Sequence, residues 1–343
     1  MNHNGDLNTA KKLIDAAADA GVDAVKFQIL TADGLYVKDA GKFTNDWGKE
    51  HDIYEVWKQT EVPNYWIPEL SSYCKSKGVI FFSSVFDEKA VDLLNPYVDV
   101  YKIASSETTH IPLLKKVAKT GKPIFFSIGG ADVEEVVEAV KSIKEEGNNH
   151  ISILYCVPKY PAPFGLANVK AIKSLEEQFP DAVIGYSDHS LNPDPITVPV
   201  AAVSYGAKII EKHFTLDRNM EGIDHKMSLE PDELKKMVQT IRENENLTNA
   251  GRNIKVDQIL VGEGLIKPPE DCEKIVKFLR RTIFAVGDIK KGELFSEKNL
   301  RVLRPGNRDA SEGMHPREYL NILGKEAKQD IPVLSLIKKE YVS

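Results

Sequence analysis

Apolar runs rich in β-branched and aromatic residues recur along the first two thirds of the chain, too far apart to be hairpins. They fall at 24–30 (AVKFQIL), 79–85, 98–104, 123–128, 151–156, 183–187 and 207–212. Runs this nearly continuous belong to strands buried on both faces, as parallel strands are when crossover helices cover them. The intervening stretches carry apolar residues at helical spacing, with glycine at or near several C-terminal ends, and predict helices over 7–20, 64–77, 87–95, 109–120, 132–147, 166–179, 194–205 and 231–246. Seven strands alternating with eight helices are one strand short of a (β/α)₈ TIM barrel, and the chain opens on a helix where a barrel opens on a strand. An open seven-stranded sheet would leave two parallel edges unpaired. The expectation is therefore a barrel whose first strand is missing ahead of MNHNGD. A doubly wound open sheet is the alternative, although no GxGxxG marks the first turn.

The pattern changes near residue 250. A barrel domain is expected over 1–250, a linker over 251–280 and a small β-rich domain over 281–343, where RTIFAV, NLRVLR and VLSLI read as short strands separated by turns. The 343 residues suffice for both domains. A net charge of −6 gives no basic surface for nucleic acid. No apolar run approaches about 18 residues, so no membrane partner is expected. The three cysteines, Cys74, Cys156 and Cys272, are widely spaced in no metal-like pattern, which predicts reduced thiols and a cytoplasmic location.

Catalytic groups of a parallel barrel stand at the C-terminal ends of its strands. Here those ends are polar: Lys26 and Gln28, Ser83 and Ser84, Lys102 with Ser105, Ser106 and Glu107, Ser127, Tyr160, Ser187 to His189, and Lys212 with His213. VIGYSDHS and AKIIEKHFT each place a histidine just beyond a strand. Their separation, 213 − 189 = 24 residues, is one loop–helix–strand step. Two imidazoles on neighbouring strands suit Mn²⁺, Co²⁺ or Zn²⁺ with open positions for water or substrate; the alternative is two structural histidines. Lys26 and Lys102 lie in apolar strands, where a buried ammonium needs an anion. A salt bridge to Glu107 or Glu211 would serve; so would a bound phosphate and carboxylate, helped by the serines and the Gly129–Gly130 turn. In NHNGD, an Asn-Gly turn with Asp6 as a helix cap explains most of the segment and leaves His3 and Asn4 as candidate site residues. Asp188 is expected to orient its strand end.

NHNGDLNTAKKLIDAAADAGVDAVKFQ, YKIASSE, YPAP, GYSDHS, IEKHFTLDR, DHKMSLEPDEL and LRPGN, in this order, resemble the N-acetylneuraminate (sialic acid) synthase family over the whole chain. GMHPRE is similar to relatives associated with spore-coat polysaccharide. The resemblance implies a (β/α)₈ barrel followed by an antifreeze-like (SAF) domain in a domain-swapped homodimer. It implies condensation of phosphoenolpyruvate with an N-acylated mannosamine-type sugar and release of phosphate. By position, His189 and His213 match ligands of a divalent metal, Mn²⁺ foremost, with Mg²⁺ or Co²⁺ as alternatives. Lys26, Ser84, Lys102, Ser105, Ser127 and Ser187 match groups that hold phosphoenolpyruvate. Gln28, Tyr160 and Asp224 match contacts to the acceptor sugar, and Glu107 a carboxylate near the reacting atoms, implied to assist proton transfer. Arg304 matches an arginine that reaches the partner subunit's barrel and contacts the N-acyl group.

Three departures stand beside the match. The family's first strand, with a site glutamate, is missing ahead of Met1; Pro158 replaces an asparagine of some members; and IASSE and FSIGG differ from glycine-containing bacterial forms. Two other functions fit the same residues: a phosphoenolpyruvate-dependent enzyme acting on an aldose phosphate, and a non-catalytic sugar-binding homologue.

Overall fold

The computed structural model describes residues 1–44, 48–249 and 256–343. Its centre is a parallel sheet of seven strands in chain order: β1 (Ala24–Ile29), β2 (Ile80–Val85), β3 (Tyr101–Ile103), β4 (Ile124–Ser127), β5 (Ile151–Cys156), β6 (Val183–Asp188) and β7 (Ile209–Lys212). Each pairs with the next, and the pairing Gln28↔Ser84↔Lys102 runs across the first three strands. Side chains of a strand alternate between faces, so the sequence sorts itself in two directions. Outward residues such as Phe27, Phe81, Tyr101, Ile103, Phe126, Ile153 and Tyr186 join one core beneath the helices. Burying each contributes about 1.5–3 kcal/mol. The inward set includes Lys26, Gln28, Ser84, Lys102, Ser127, Ser187 and Glu211, which puts the polar chemistry inside the curve of the sheet.

Three of the covering helices begin where an acidic side chain accepts a free backbone amide of the first turn. Asp6, Asp87 and Asp132 each cap the following helix, and Asp132 forms a capping box with Glu135. β1 and β7 face one another across a seam holding a cavity of about 410 Å³, lined by Val25, Lys26, Phe82, Phe125, Ile209 and Glu211 among others. Helices Leu7–Asp19 and Pro231–Asn249 cover the outside of this seam through Ala17, Leu234, Met237 and Ile241. The chain belongs to the barrel class, and the doubly wound alternative falls because the strand order never reverses.

The expected strands and helices of the first 250 residues are present, most with shorter ends, while the helix expected over 231–246 runs on to Asn249. The helix expected from 166 begins at Ala171, after a 3₁₀ turn at Phe164–Leu166. The boundary placed at 250/251 lies outside the described residues. The C-terminal region holds an antiparallel pair, β8 (Thr282–Ala285) with β9 (Leu300–Leu303), around a core of its own that includes Ile283, Phe295, Ile322 and Ile337. VLSLI, expected as a third strand, makes only a single bridge, Phe284↔Leu336.

An excursion after β1 was not foreseen. It contains helix Ala32–Leu35, an antiparallel ribbon of Lys42–Thr44 with Glu50–Asp52, and helix Ile53–Gln59. Leu35, Tyr36, Val37, Ile53 and Phe86 pack there against Phe284, Leu303 and Leu336 of the C-terminal region. Backbone bonds join the two sides: the Arg304 amide donates to Leu35, the Val37 amide to Arg304 and the Asn307 amide to Ala40. Gly306, at φ +66°, comes so close to the Ala40 carbonyl that a Cβ would collide with it.

Candidate active site

The inner strand ends bring together a cluster dominated by two lysines and one carboxylate. Lys26 Nζ lies 3.0 Å from Glu211 Oε1 and Lys102 Nζ 3.7 Å from Oε2. Lys102 also donates to Ser127 Oγ at 2.7 Å and to the Ile103 carbonyl at 3.0 Å, and Ser187 Oγ donates to Glu211 at 3.0 Å. Burial pushes the Lys102 ammonium down to about 8, although the negative charge of Glu211 opposes the change. Burial pushes the Glu211 carboxyl up, but the two lysines outweigh it and hold the group well below the usual carboxylate range. Two cations share one anion, a surplus of positive charge suited to a polyanionic ligand. Ser84, between Gln28 and Lys102 in register, is buried and its hydroxyl has no partner, a hydrogen bond left for a ligand to fill.

Gly129 and Gly130 follow β4. A Cβ on Gly129 would overlap the Cys156 side chain and carbonyl, so the turn needs glycine for close approach. Ser105 sits beside it; Thr108 Oγ1 lies 3.0 Å from the Ser105 carbonyl and 2.9 Å from the Ser127 carbonyl, its one proton shared between them.

The two histidines meet at the mouth, their rings 5.5 Å apart. His189 Nδ1 lies 2.7 Å from the Val157 carbonyl, which fixes the proton on Nδ1 and leaves Nε2 as a lone-pair donor. Burial, with a smaller contribution from His213, pushes its imidazole down to about 3, so it is neutral at physiological pH. His213 Nδ1 faces Asp224 Oδ2 at 3.5 Å. Burial pushes the Asp224 carboxyl up, yet the hydrogen bond and charge of His213 draw it to about 2. Both imidazoles thus have the outer-shell partner that a metal-binding histidine requires, and the pair fits a divalent cation that keeps open positions. Among the described residues, no three His, Cys, Asp or Glu side chains converge in metal-binding geometry. Gln28 Nε2 approaches Asp224 Oδ2 at 3.5 Å, and the half-exposed Tyr160 ring lies 4.3 Å from that of His189. On the outer face, Asp188 pairs with Lys212 and accepts from the Ser190 amide and hydroxyl, pinning the two histidine-bearing strand ends side by side.

Glu107 and Arg304 form a second cluster. Glu107, fully buried in the turn Ser105–Glu107, contacts Arg304 Nη2 at 2.9 Å and also the Arg281 guanidinium, with Ser106 Oγ donating at 3.0 Å and His110 Nδ1 lying 3.5 Å from Oε2. Burial pushes its carboxyl up; Arg281, His110 and Arg304 together bring it far below the usual range. Burial pushes the Tyr160 phenol well above its ordinary value.

The NHNGD segment plays a structural part. Asp6 caps its helix, Asn2 donates to the Phe214 carbonyl and to Ser228, Asn4 contacts Glu221 and His225, and His3 is buried beside Phe27 and Trp66. Arg281 is the functional candidate the sequence did not single out, and the Arg280–Arg281 doublet before β8 was its one signal; Ser106 stood among the polar strand ends without a role. Glu211 was anticipated only as a salt-bridge partner.

Comparison with known proteins agrees with this architecture. Residues 13–253 match the NeuB family and residues 280–340 the SAF domain. The spore coat polysaccharide biosynthesis protein SpsE of Bacillus subtilis (strain 168) is 46% identical over 334 residues, 97% of this chain and 88% of that protein. The crystal structure of the Bacillus subtilis protein superposes with a TM-score of 0.88 at 44% identity, covering 100% of this chain and 92% of that one. An N,N'-diacetyllegionaminic acid synthase of Campylobacter jejuni is 39% identical, covering 99% of this chain and 97% of its own length.

Proposed function

The chain belongs to the NeuB family, and from that premise we propose that it condenses phosphoenolpyruvate with an N-acylated mannosamine-type sugar, giving a sialic acid-like nonulosonic acid and phosphate. The observation that carries this reading is the pair Lys26 and Lys102 sharing Glu211 below the His189–His213 pair at the mouth. Lys26 and Lys102 exchange Glu211 for the phosphate and carboxylate of phosphoenolpyruvate, and the hydroxyls of Ser84, Ser105, Ser127 and Ser187 complete the cradle. Gln28, Tyr160, Asp224 and Arg304 receive the open-chain sugar. His189 and His213 would hold a divalent metal through Nε2, with Mn²⁺ as the first choice and Mg²⁺ or Co²⁺ as others; when bound, it supplies Lewis acidity at the sugar aldehyde.

The proposed reaction makes and breaks three bonds. C3 of phosphoenolpyruvate bonds to the aldehyde carbon, water adds at C2, and C–O cleavage of the tetrahedral intermediate releases phosphate. The lysines hold the donor in line with the acceptor and offset the charge of the departing phosphate. No helix among the described residues is long and apolar enough to cross a membrane, and the three cysteines are buried and unpaired, in keeping with a cytoplasmic reaction. The working assembly is proposed as a homodimer. Exchange of identical C-terminal regions between two copies would keep each contact described above while delivering Arg304 to the partner's barrel.

The test is phosphate release from phosphoenolpyruvate with and without N-acetylmannosamine and Mn²⁺, followed by diacetylated hexoses, since a legionaminic acid synthase is among the relatives. Release that requires both acceptor and metal supports the reading. His213→Ala should abolish the metal-dependent part, and full activity in that variant would remove His213 from the metal site.

A further inference from the structure

Glu107 is tied to the C-terminal region by both of its carboxylate oxygens. Arg304 Nη2 reaches Oε1 at 2.9 Å, and Arg281 Nε meets Oε2. The two guanidinium groups are not equivalent. Arg281 is wholly buried and its fork is spent on the fold: Nη1 donates to the carbonyls of Gly34 at 2.8 Å and Val302 at 2.7 Å, and Nη2 to Phe86 at 2.9 Å. These three carbonyls belong to the excursion after β1, to β9 and to the end of β2, so one side chain joins three elements. Arg304 is only partly engaged. Its Nη2 holds Glu107 and Ser106 and its Cζ lies 5.6 Å from the Tyr36 ring centroid, while Nε is buried with no partner. A buried donor without an acceptor is costly, so this guanidinium still has a hydrogen bond to give.

A carboxylate under two guanidiniums stays ionised wherever the protein is folded, and a group that never takes up a proton cannot deliver one. We propose that Glu107 is a fixed counter-ion rather than a proton carrier, and that Arg281 is the positioning residue that locks it, so that Glu107 aims the Arg304 guanidinium at a carbonyl oxygen of the acceptor. The proposal rests on the reading of the site as a condensing centre for an N-acyl sugar. Arg281 touches no reacting atom; it acts through Glu107, and Glu107 through Arg304.

The experiment compares the full chain with Arg281→Met, Arg281→Lys, Glu107→Gln and the double variant Arg281→Met/Glu107→Gln. Steady-state constants for both substrates and amide exchange at Val37 and Arg304 are the two readouts. Each single variant should raise the acceptor KM about 10–100-fold, with the phosphoenolpyruvate KM and kcat within about threefold. The double variant should be no worse than the worse single one, because both act through Arg304. Arg281→Lys should recover only part, since an ammonium cannot reproduce the planar fork. Arg281→Met leaves a buried carboxylate short of one cation and can fail to fold; the double variant removes both charges and carries the test in that case. An acceptor KM like that of the wild type in the double variant overturns the proposal. So does a loss confined to kcat together with a vanished limb in the pH profile of Glu107→Gln, which restores the proton carrier. If the wild type releases no phosphate with any N-acyl hexose, the functional reading falls by itself. Exchange then decides alone: faster exchange at Val37 and Arg304 in the double variant supports the lock, and unchanged protection sinks it.

Discussion

Two buried clusters in this protein have the same stoichiometry, two cations on one carboxylate, and opposite characters. Around Glu211 the cations are lysines, and the Lys26 and Glu211 side chains keep 18% and 13% of their exposure where they line the seam cavity. Around Glu107 the cations are arginines, and no member exceeds 5%. An ammonium is a point charge on a flexible stem that can trade one anion for another, whereas a guanidinium fork is committed by geometry to its carbonyls and carboxylate. The difference separates a place where an anion can be exchanged for a ligand's from a place where Arg281 and Glu107 hold two regions together and leave Arg304 alone to reach a ligand. Residue type distinguishes them as well as burial does.

The comparison breaks most sharply at Lys102. Lys102→Met should lower kcat/KM for phosphoenolpyruvate by about 10³, the scale on which single preorganised charges act. Stability should change by no more than about 1 kcal/mol, because Glu211 keeps Lys26 as its partner. Denaturant titration beside steady-state kinetics checks both halves. A variant that unfolds readily while retaining turnover would make the lysine cluster structural and erase the contrast.

A smaller effect sharpens the sealed side. Arg280 forks onto Glu135 at 2.6 and 2.7 Å and donates to the Gly130 carbonyl, with His315 at 3.6 Å, so the neighbour of Arg281 latches the same C-terminal region to the start of helix Val133–Glu145. Burial pushes the Glu135 carboxyl up, but His315 and Arg280 together bring it to about 2. Its folded pKa lies below the unfolded value, so the latch contributes fully above about pH 4.5 and is lost as pH falls toward 2. The contribution is at most about 3 kcal/mol. Glu135→Gln should therefore narrow the gap in stability between pH 6 and pH 3, as measured by urea unfolding, and an unchanged gap would show that the latch does not matter.

How much of this was legible in the sequence follows from the same distinction. The inner face was readable because strand alternation is local: once the strands are placed, Lys26, Gln28, Lys102 and Ser127 must look inward together. The two histidines were readable because their step of one βα unit brings them to neighbouring strand ends. Arg281 was not, because its burial depends on the carbonyls of Gly34, Phe86 and Val302, far apart in sequence, and a charged doublet otherwise reads as solvated. The excursion of residues 32–59 was missed for a related reason. Its short strands are largely exposed, and its apolar residues find their partners only in Phe284, Leu303 and Leu336. VLSLI has strand composition, yet it is held by one bridge and loop bonds rather than a ladder.

The finest test of the lysine cluster is its titration. Lys102 is pushed down to about 8 by burial, so in the free protein its ammonium is present below that pH and lost above it. Phosphoenolpyruvate is bound by the charged form, and a ligand of opposite charge draws the proton back on binding. The expected profile is kcat/KM for phosphoenolpyruvate falling about tenfold per unit above pH 8, while kcat at saturation stays flat to a higher pH. Lys102→Arg should remove that limb, because a guanidinium does not titrate in this range, although the altered geometry lowers the plateau. Folding follows the opposite sign: an ammonium with a depressed pKa opposes the folded state, so stability should rise modestly between pH 8 and 10.5 as Lys102 loses its proton in the fold but not in the unfolded chain. Activity falling while stability rises over one pH interval is a signature that the arginine cluster cannot produce. Its presence would tie the limb to Lys102 rather than to general unfolding.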